Sequence, residues 1–180
     1  MQFDQELAAD LHDQATPALT TAFKTVTVFG NAGVLVPATV LGVVLLAWRR
    51  RIYDATLLGL AVIGAELLTL ALKLGFERER PFFPDPLATA SGFSFPSGHA
   101  TASLAFYGAL AVLGVRRFGS LAARATILGG AVLFVLAIGF SRMYLGVHFL
   151  SDVLAGFSVG LAWLTLCVLA LHLQRVRRSA

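Results

Sequence analysis

The chain has 180 residues, of which 57% are hydrophobic and 13% charged, with a mean hydropathy of +0.79 and a formal net charge of +4. A water-soluble domain carries about twice that share of charge, and the apolar residues here gather in blocks of the ~20 residues that a helix needs to cross a bilayer. A soluble globular domain is excluded. Lipid offers no partner to free backbone amides, so the chain is expected to be all-α, an integral membrane helical bundle.

The positive charge does not point to nucleic acid, because its placement follows topology. Nine of the 14 Lys and Arg fall in three clusters, Arg49 to Arg51, Arg116 and Arg117 with Arg124, and Arg175, Arg177 and Arg178. Each follows or separates apolar blocks, the pattern of cytoplasmic loops. The single cysteine, Cys167, lies within an apolar run and reads as a small buried hydrophobe. The N-terminus carries Asp4, Glu6, Asp10 and Asp13 and lacks the basic start of a secretory signal.

Along the chain, Phe3, Leu7, Leu11, Ala15, Ala18, Ala22 and Val26 recur at helical spacing. Thr16-Pro17 offers an N-cap and a first-turn proline, so residues 3–25 are expected to form two short helices at the membrane surface. The glycines of Gly30-Asn31-Ala32-Gly33 break the chain. Five spans are then expected: 34–48 with some upstream extension, 55–74, 99–115, 125–140 and 149–171. The whole is read as one domain, with 1–30 an amphipathic surface segment and 31–174 a transmembrane catalytic bundle. Gly156 and Gly160 form a G-x-x-x-G pair, expected to pack helices within the chain.

With the arginine clusters inside, the 75–98 loop, the 141–148 connection and the start of the fifth span share the outer face. The polar residues with chemical potential gather there. Lys73 and Arg80 stand two helical turns apart and would share a face if the second span continued outward, although a cation at a helix end also serves as an interfacial anchor. Pro96-Ser97-Gly98-His99 leads into a helix whose free amides suit an anion. Gly98 allows close approach, Ser97 adds a hydroxyl, and His99 stands on the first turn as proton donor or as simple helix cap. Ser141-Arg142 is followed by His148 and Asp152, four apart, where a carboxylate can orient an imidazole through Nδ1.

Together, Lys73-x6-Arg80-Pro81, Pro96-Ser97-Gly98-His99 and Ser141-Arg142-x5-His148-x3-Asp152 resemble the three-part signature of the type 2 phosphatidic acid phosphatase (PAP2) superfamily, in its membrane lipid phosphate phosphatase branch. All three parts match in order. The resemblance implies a metal-independent phosphatase with no cofactor, in which His148 attacks phosphorus, Asp152 holds its tautomer and His99 protonates the leaving oxygen. Lys73, Arg80, Ser97, Gly98 and Arg142 would bind phosphate. The expected partner is a lipid phosphate of the phosphatidic acid, phosphatidylglycerol phosphate or undecaprenyl diphosphate type in a bacterial inner membrane, dephosphorylated at its periplasmic side. The alternatives are a lipid phosphotransferase and a non-catalytic lipid-binding or transport protein. Vanadium haloperoxidases carry the same signature, but the membrane spans argue against that activity. Many membrane members have a sixth span before the region seen here, so either the N-terminus is genuinely outside or an upstream helix is absent from this sequence. Glu66, inside the second span, is left outside the site, as are His12, His172 and Tyr144.

Overall fold

The computed structural model describes residues 2–179, with side chains through Arg177; Met1, Ala180 and the side chain of Arg178 in the third basic cluster lie outside the described residues. Seven helices and no strand occur among the described residues: α1 Gln2–Asp13, α2 Pro17–Val28, α3 Ala32–Trp48, α4 Ile52–Phe76, α5 Gly98–Arg117, α6 Leu121–Tyr144 and α7 Leu150–Ser179. Five stretches are long and apolar enough to cross a membrane: Pro17–Trp48, Ile52–Phe76, Gly98–Arg117, Leu121–Tyr144 and Leu150–Arg177.

The punctuation residues act where the sequence puts them. Thr16 caps α2 by accepting from the Leu19 amide at 3.4 Å, with Pro17 in the first turn. Asn31 caps α3, accepting from the Gly33 amide at 2.8 Å. Helices α2 and α3 are interrupted only at 29–31 and make one 32-residue apolar stretch, which extends the first span well upstream of Val34. Phe23 of α2 packs on Phe140 and Tyr144 of α6, with ring centroids 5.4 and 4.6 Å apart. The Tyr144 hydroxyl accepts from the Thr16 amide at 2.9 Å, so this tyrosine anchors α2.

Helices α4, α5 and α6 overrun their expected limits at both ends, and α7 at its C-terminal end. Helix α4 alone has 25 residues, about 38 Å at 1.5 Å per residue, which is enough for the hydrocarbon layer. Helix α5 is the hub and packs on α4, α6 and α7. Its small buried residues Ala100, Ala102, Ala105 and Ala109 permit this. A Cβ on Gly156 would lie 2.7 Å from the Ser97 carbonyl, and one on Gly160 would lie 2.9 Å from that of Thr101. The G-x-x-x-G pair therefore closes α7 onto α5 inside the chain. Cys167 is buried in the core beside Leu57, Leu58, Phe106 and Leu164.

The ends of the bundle differ in character. At one end, Arg116 comes within 4.0 Å of Asp54 and the Arg175 guanidinium lies over the Tyr53 ring, which brings the basic clusters together. The 77–97 loop and the 145–149 connection occupy the other end.

Candidate active site

Helix α4 stops at Phe76 because Glu77 turns left-handed (φ 45°) and donates its amide to the Lys73 carbonyl. Lys73 and Arg80 therefore do not share a helix face, as a continuing span would have made them do. They converge by another route. Lys73 Nζ donates to the Phe93 carbonyl, and Arg80 Nη2 donates to the same oxygen at 3.2 Å. Arg80 is fixed further by Nε to the Gly92 carbonyl at 2.9 Å and Nη1 to that of Val147 at 2.7 Å.

Between α6 and α7 the chain folds back on one carbonyl. The Arg142 oxygen accepts from the amides of Val147 and His148 at 3.1 and 3.3 Å. Gly146 takes φ +69°, where its missing Cβ would also crowd Phe83. This turn places His148 beside Arg142. Helix α7 begins only at Leu150, so His148 and Asp152 meet across a helix start and not along a helix face. Asp152 Oδ2 accepts from the Phe149 amide at 2.9 Å and lies 3.4 Å from His148 Nδ1.

Arg80 Nη1 lies 3.1 Å from His148 Nε2. A guanidinium has donors and no acceptor, so Nε2 must offer its lone pair and the ring proton sits on Nδ1, facing Asp152. Asp152 is fully enclosed and His148 is 3% exposed. Burial, then the charges of Arg80 and Arg142, lower the His148 pKa to about 4 against the hydrogen bond that its Nδ1–H donates to Asp152. The imidazole is neutral at physiological pH.

His148, His99, Lys73, Arg80, Arg142 and Gly98 line one cleft of about 400 Å³ with Thr27, Val28 and Asn31. Arg142 Nη1 donates to Thr27 Oγ1 at 2.8 Å, while its buried Nε has no partner. The amides of Gly98, His99 and Ala100 precede the first intrahelical bond of α5, Thr101 to the Ser97 carbonyl, so they are the orphan donors of a helix start. A Cβ on Gly98 would touch only Thr69 at 3.7 Å; packing alone does not demand glycine there. Ser97 stands behind the wall: it is fully buried, its amide donates to the Asp152 carbonyl at 2.9 Å, and it is not among the lining residues. Among the described residues no three of His, Cys, Asp and Glu are placed to hold a metal ion.

Several site residues were invisible to motif spacing. Ser94 Oγ donates to Asp152 Oδ2 and lies 3.3 Å from His148 Nδ1, bridging the pair. Arg78 donates to Asp152 Oδ1 at 2.8 Å, and Asp4 accepts from Arg78 at 2.9 Å. Thr27 reaches the site from α2. The only signal for Arg78 was its position two residues before Arg80. No local pattern ties residue 4 or 94 to residue 152.

The sequence matches the PAP2 superfamily over residues 54–175. It is 38% identical over 149 residues to phosphatidylglycerophosphatase B of Bacillus subtilis, covering 81% of this chain and 71% of that protein. The fold matches the crystal structure of a transmembrane PAP2-type phosphatidylglycerolphosphate phosphatase from Bacillus subtilis with a TM-score of 0.85 and 32% identity, over 92% of this chain and 83% of that one. The crystal structure of Aquifex aeolicus LpxE matches with a TM-score of 0.71 and 25% identity, over 91% and 93% of the two chains. All three signature segments, or their charged and imidazole members, meet at one end of this membrane bundle, and the chain belongs to the PAP2 superfamily as a membrane-embedded lipid phosphatase.

Proposed function

We propose that the chain hydrolyses a lipid phosphomonoester or diphosphate without a metal, through a phosphohistidine on His148. The observation that carries this is the His148 lone pair: Nδ1 faces Asp152 while Nε2 opens on a cleft that also holds Lys73, Arg80, Arg142 and the start of α5. Phosphoryl transfer asks the protein mainly for in-line positioning and for neutralisation of charge on the equatorial oxygens. Three cations and the α5 amides supply both.

In the first step the Nε2–P bond forms and the P–O bond to the lipid breaks. The electron pair goes to the leaving oxygen, and His99 supplies its proton. In the second, water attacks phosphorus, His99 takes the water's proton, and the N–P bond breaks to release phosphate. Asp152 holds Nδ1–H and offsets the positive charge on the ring. Ser97 acts through its backbone on Asp152, and Gly98 leaves room for the phosphate.

The arginine clusters lie at the opposite end of the bundle, so the positive-inside pattern favours a cleft opening at the outer, periplasmic face. The relatives named for phosphatidylglycerophosphate make that lipid the first substrate to test, with phosphatidic acid and undecaprenyl diphosphate beside it. A phosphotransferase would use the same first step with another acceptor in place of water.

The test is phosphate release from these three lipids by purified protein in detergent with a chelator present. Wild-type turnover that His148→Ala abolishes supports the reading. Dependence on added metal, or turnover surviving in His148→Ala, overturns it.

A further inference from the structure

Asp152 is gripped on both carboxylate oxygens, and only one grip belongs to the signature. Oδ2 serves Ser94, the Phe149 amide and His148. Oδ1 accepts from Arg78 Nη1 at 2.8 Å, and the other arm of Arg78, Nη2, donates to Asp4 Oδ2 at 2.9 Å. Asp4 stands in the first turn of α1 and is itself buried. It also accepts from the Ser151 amide at 3.1 Å and from the Ser151 hydroxyl. Ser151 Oγ in turn accepts from Arg78 Nη1 at 2.6 Å, and the guanidinium lies 4.5 Å over the Phe149 ring.

We propose that Arg78 and Asp4 are positioning residues for the reaction: a carboxylate–guanidinium–carboxylate chain from α1 locks the Asp152 carboxylate with Oδ2 toward His148, and so makes α1 part of the active site. This rests on the reading of His148 as nucleophile.

Three physical points carry it. A carboxylate anchored at one oxygen can turn about its Cβ–Cγ bond, whereas one bonded at both oxygens by planar donors cannot. Among the described residues Arg78 is the only arginine or lysine bonded to Asp152, and a buried carboxylate that loses its bonded cation is destabilised. Asp4 completes the balance. It places a second negative charge on the far side of the guanidinium and caps the first turn of α7 from outside that helix, where the backbone dipole favours an anion. Burial alone would raise the Asp4 carboxyl, but hydrogen bonds from Ser151 and Arg78 together hold it below its ordinary value, so the chain is charged at neutral pH.

The charge of Arg78 also reaches His148 through Asp152. With Arg78 gone, the imidazole faces a carboxylate that has lost its bonded cation and keeps only the longer-range charges of Lys73 and Arg80, so its conjugate acid is favoured. Arg80 and Arg142 beside it, His99 from α5 and Lys73 from α4 stay in place, so the direction of the shift is set by Arg78 alone.

The experiment uses the full chain in detergent with short-chain phosphatidylglycerol phosphate and phosphatidic acid as probes. Arg78→Met should lower kcat about 30-fold, the loss of one charged hydrogen bond, with KM within about threefold of wild type. The acid limb of kcat/KM should move to higher pH. Arg78→Lys and Asp4→Asn should fall between, and guanidinium ion should restore part of the activity of Arg78→Ala. A wild-type kcat in Arg78→Met overturns the proposal. So does a loss with an unmoved acid limb and no guanidinium rescue, which marks a staple of the fold only. A wild-type kcat in Asp4→Asn removes α1 from the chain. His148→Ala is run alongside: turnover there defeats the underlying reaction, whereas its loss together with an active Arg78→Met defeats only this inference.

Discussion

Arg80 Nη1 lies 3.1 Å from His148 Nε2, and the arginine can only donate. The nitrogen assigned to attack phosphorus is thereby held in its neutral, lone-pair-outward tautomer by a residue that also faces the phosphate cleft. Arg80→Lys keeps the charge and loses the planar fork that spans Gly92, Phe93 and Val147. It should lower kcat/KM by about 100-fold, the scale of one lost preorganised donor. Steady-state kinetics on a lipid phosphate decide this, and a change within about threefold would mean that charge alone suffices.

Ser94 is a second test of the imidazole's orientation. Its hydroxyl bridges Asp152 Oδ2 and His148 Nδ1, so Ser94→Ala removes a hydrogen bond to a charged group inside the site. Such a bond is worth about 1.5–3 kcal/mol, or about 10- to 100-fold in rate. The loss should appear in kcat with KM nearly unchanged, because Ser94 is not among the residues lining the cleft.

Two glycines at the α5–α7 contact should behave oppositely. Gly156→Ala would push a methyl to 2.7 Å from the Ser97 carbonyl and 2.9 Å from Ala100 Cβ. That strains the joint where Ser97 holds Asp152 and should cost about 1–3 kcal/mol of stability along with activity. Gly98→Ala meets only Thr69 at ordinary contact distance. It should leave thermal stability in detergent unchanged or higher while raising KM, because Gly98 lines the cleft proposed to take the phosphate.

The acid limb of the pH profile should report His148. Its pKa is lowered to about 4 by burial and by Arg80 and Arg142, so the nucleophile is neutral above that value and is lost by protonation as pH falls through it. With the alkaline limb left to loss of the His99 proton, the acid limb of kcat/KM for the free enzyme should therefore lie at about pH 4, apart from ionisation of the lipid phosphate at about pH 6. Comparing a monoester with a diphosphate separates the two. In Arg80→Gln, one cation fewer beside the ring should move the enzyme's limb upward.

What the sequence disclosed and what it withheld divide along contact range. Hydropathy located the four later spans and the second half of the first, whose first half, α2, is expected from sequence as a surface helix; the cap at Thr16 and the break before α3 followed from residue type. The helix ends were less legible. A left-handed Glu77 stops α4 before Arg80, and α7 starts after His148, so the helix-face reasoning for both pairs gave way to turns that achieve the same meeting. Ser97 illustrates the same limit: expected to offer its hydroxyl to phosphate, it is fully buried behind the lining residues with that hydroxyl unpartnered, while its amide donates to the Asp152 carbonyl. Tyr144, two residues past Arg142, turns to α2 and bonds Thr16. Asp4 and Ser94 left no local sign and Arg78 only its place near Arg80, since the side chain of each acts through partners 54 or more residues away. Charges buried at long range leave no periodic trace.

The central claim is that the lipid's phosphoryl group passes through His148. Rapid-quench trapping with a lipid labelled in its phosphate tests it most directly. The account predicts an acid-labile, base-stable protein-bound label that forms and decays at a rate matching turnover, maps to the peptide containing His148, and is absent from His148→Ala. Label that persists in His148→Ala, or wild-type turnover with no trapped label at any time, would contradict it.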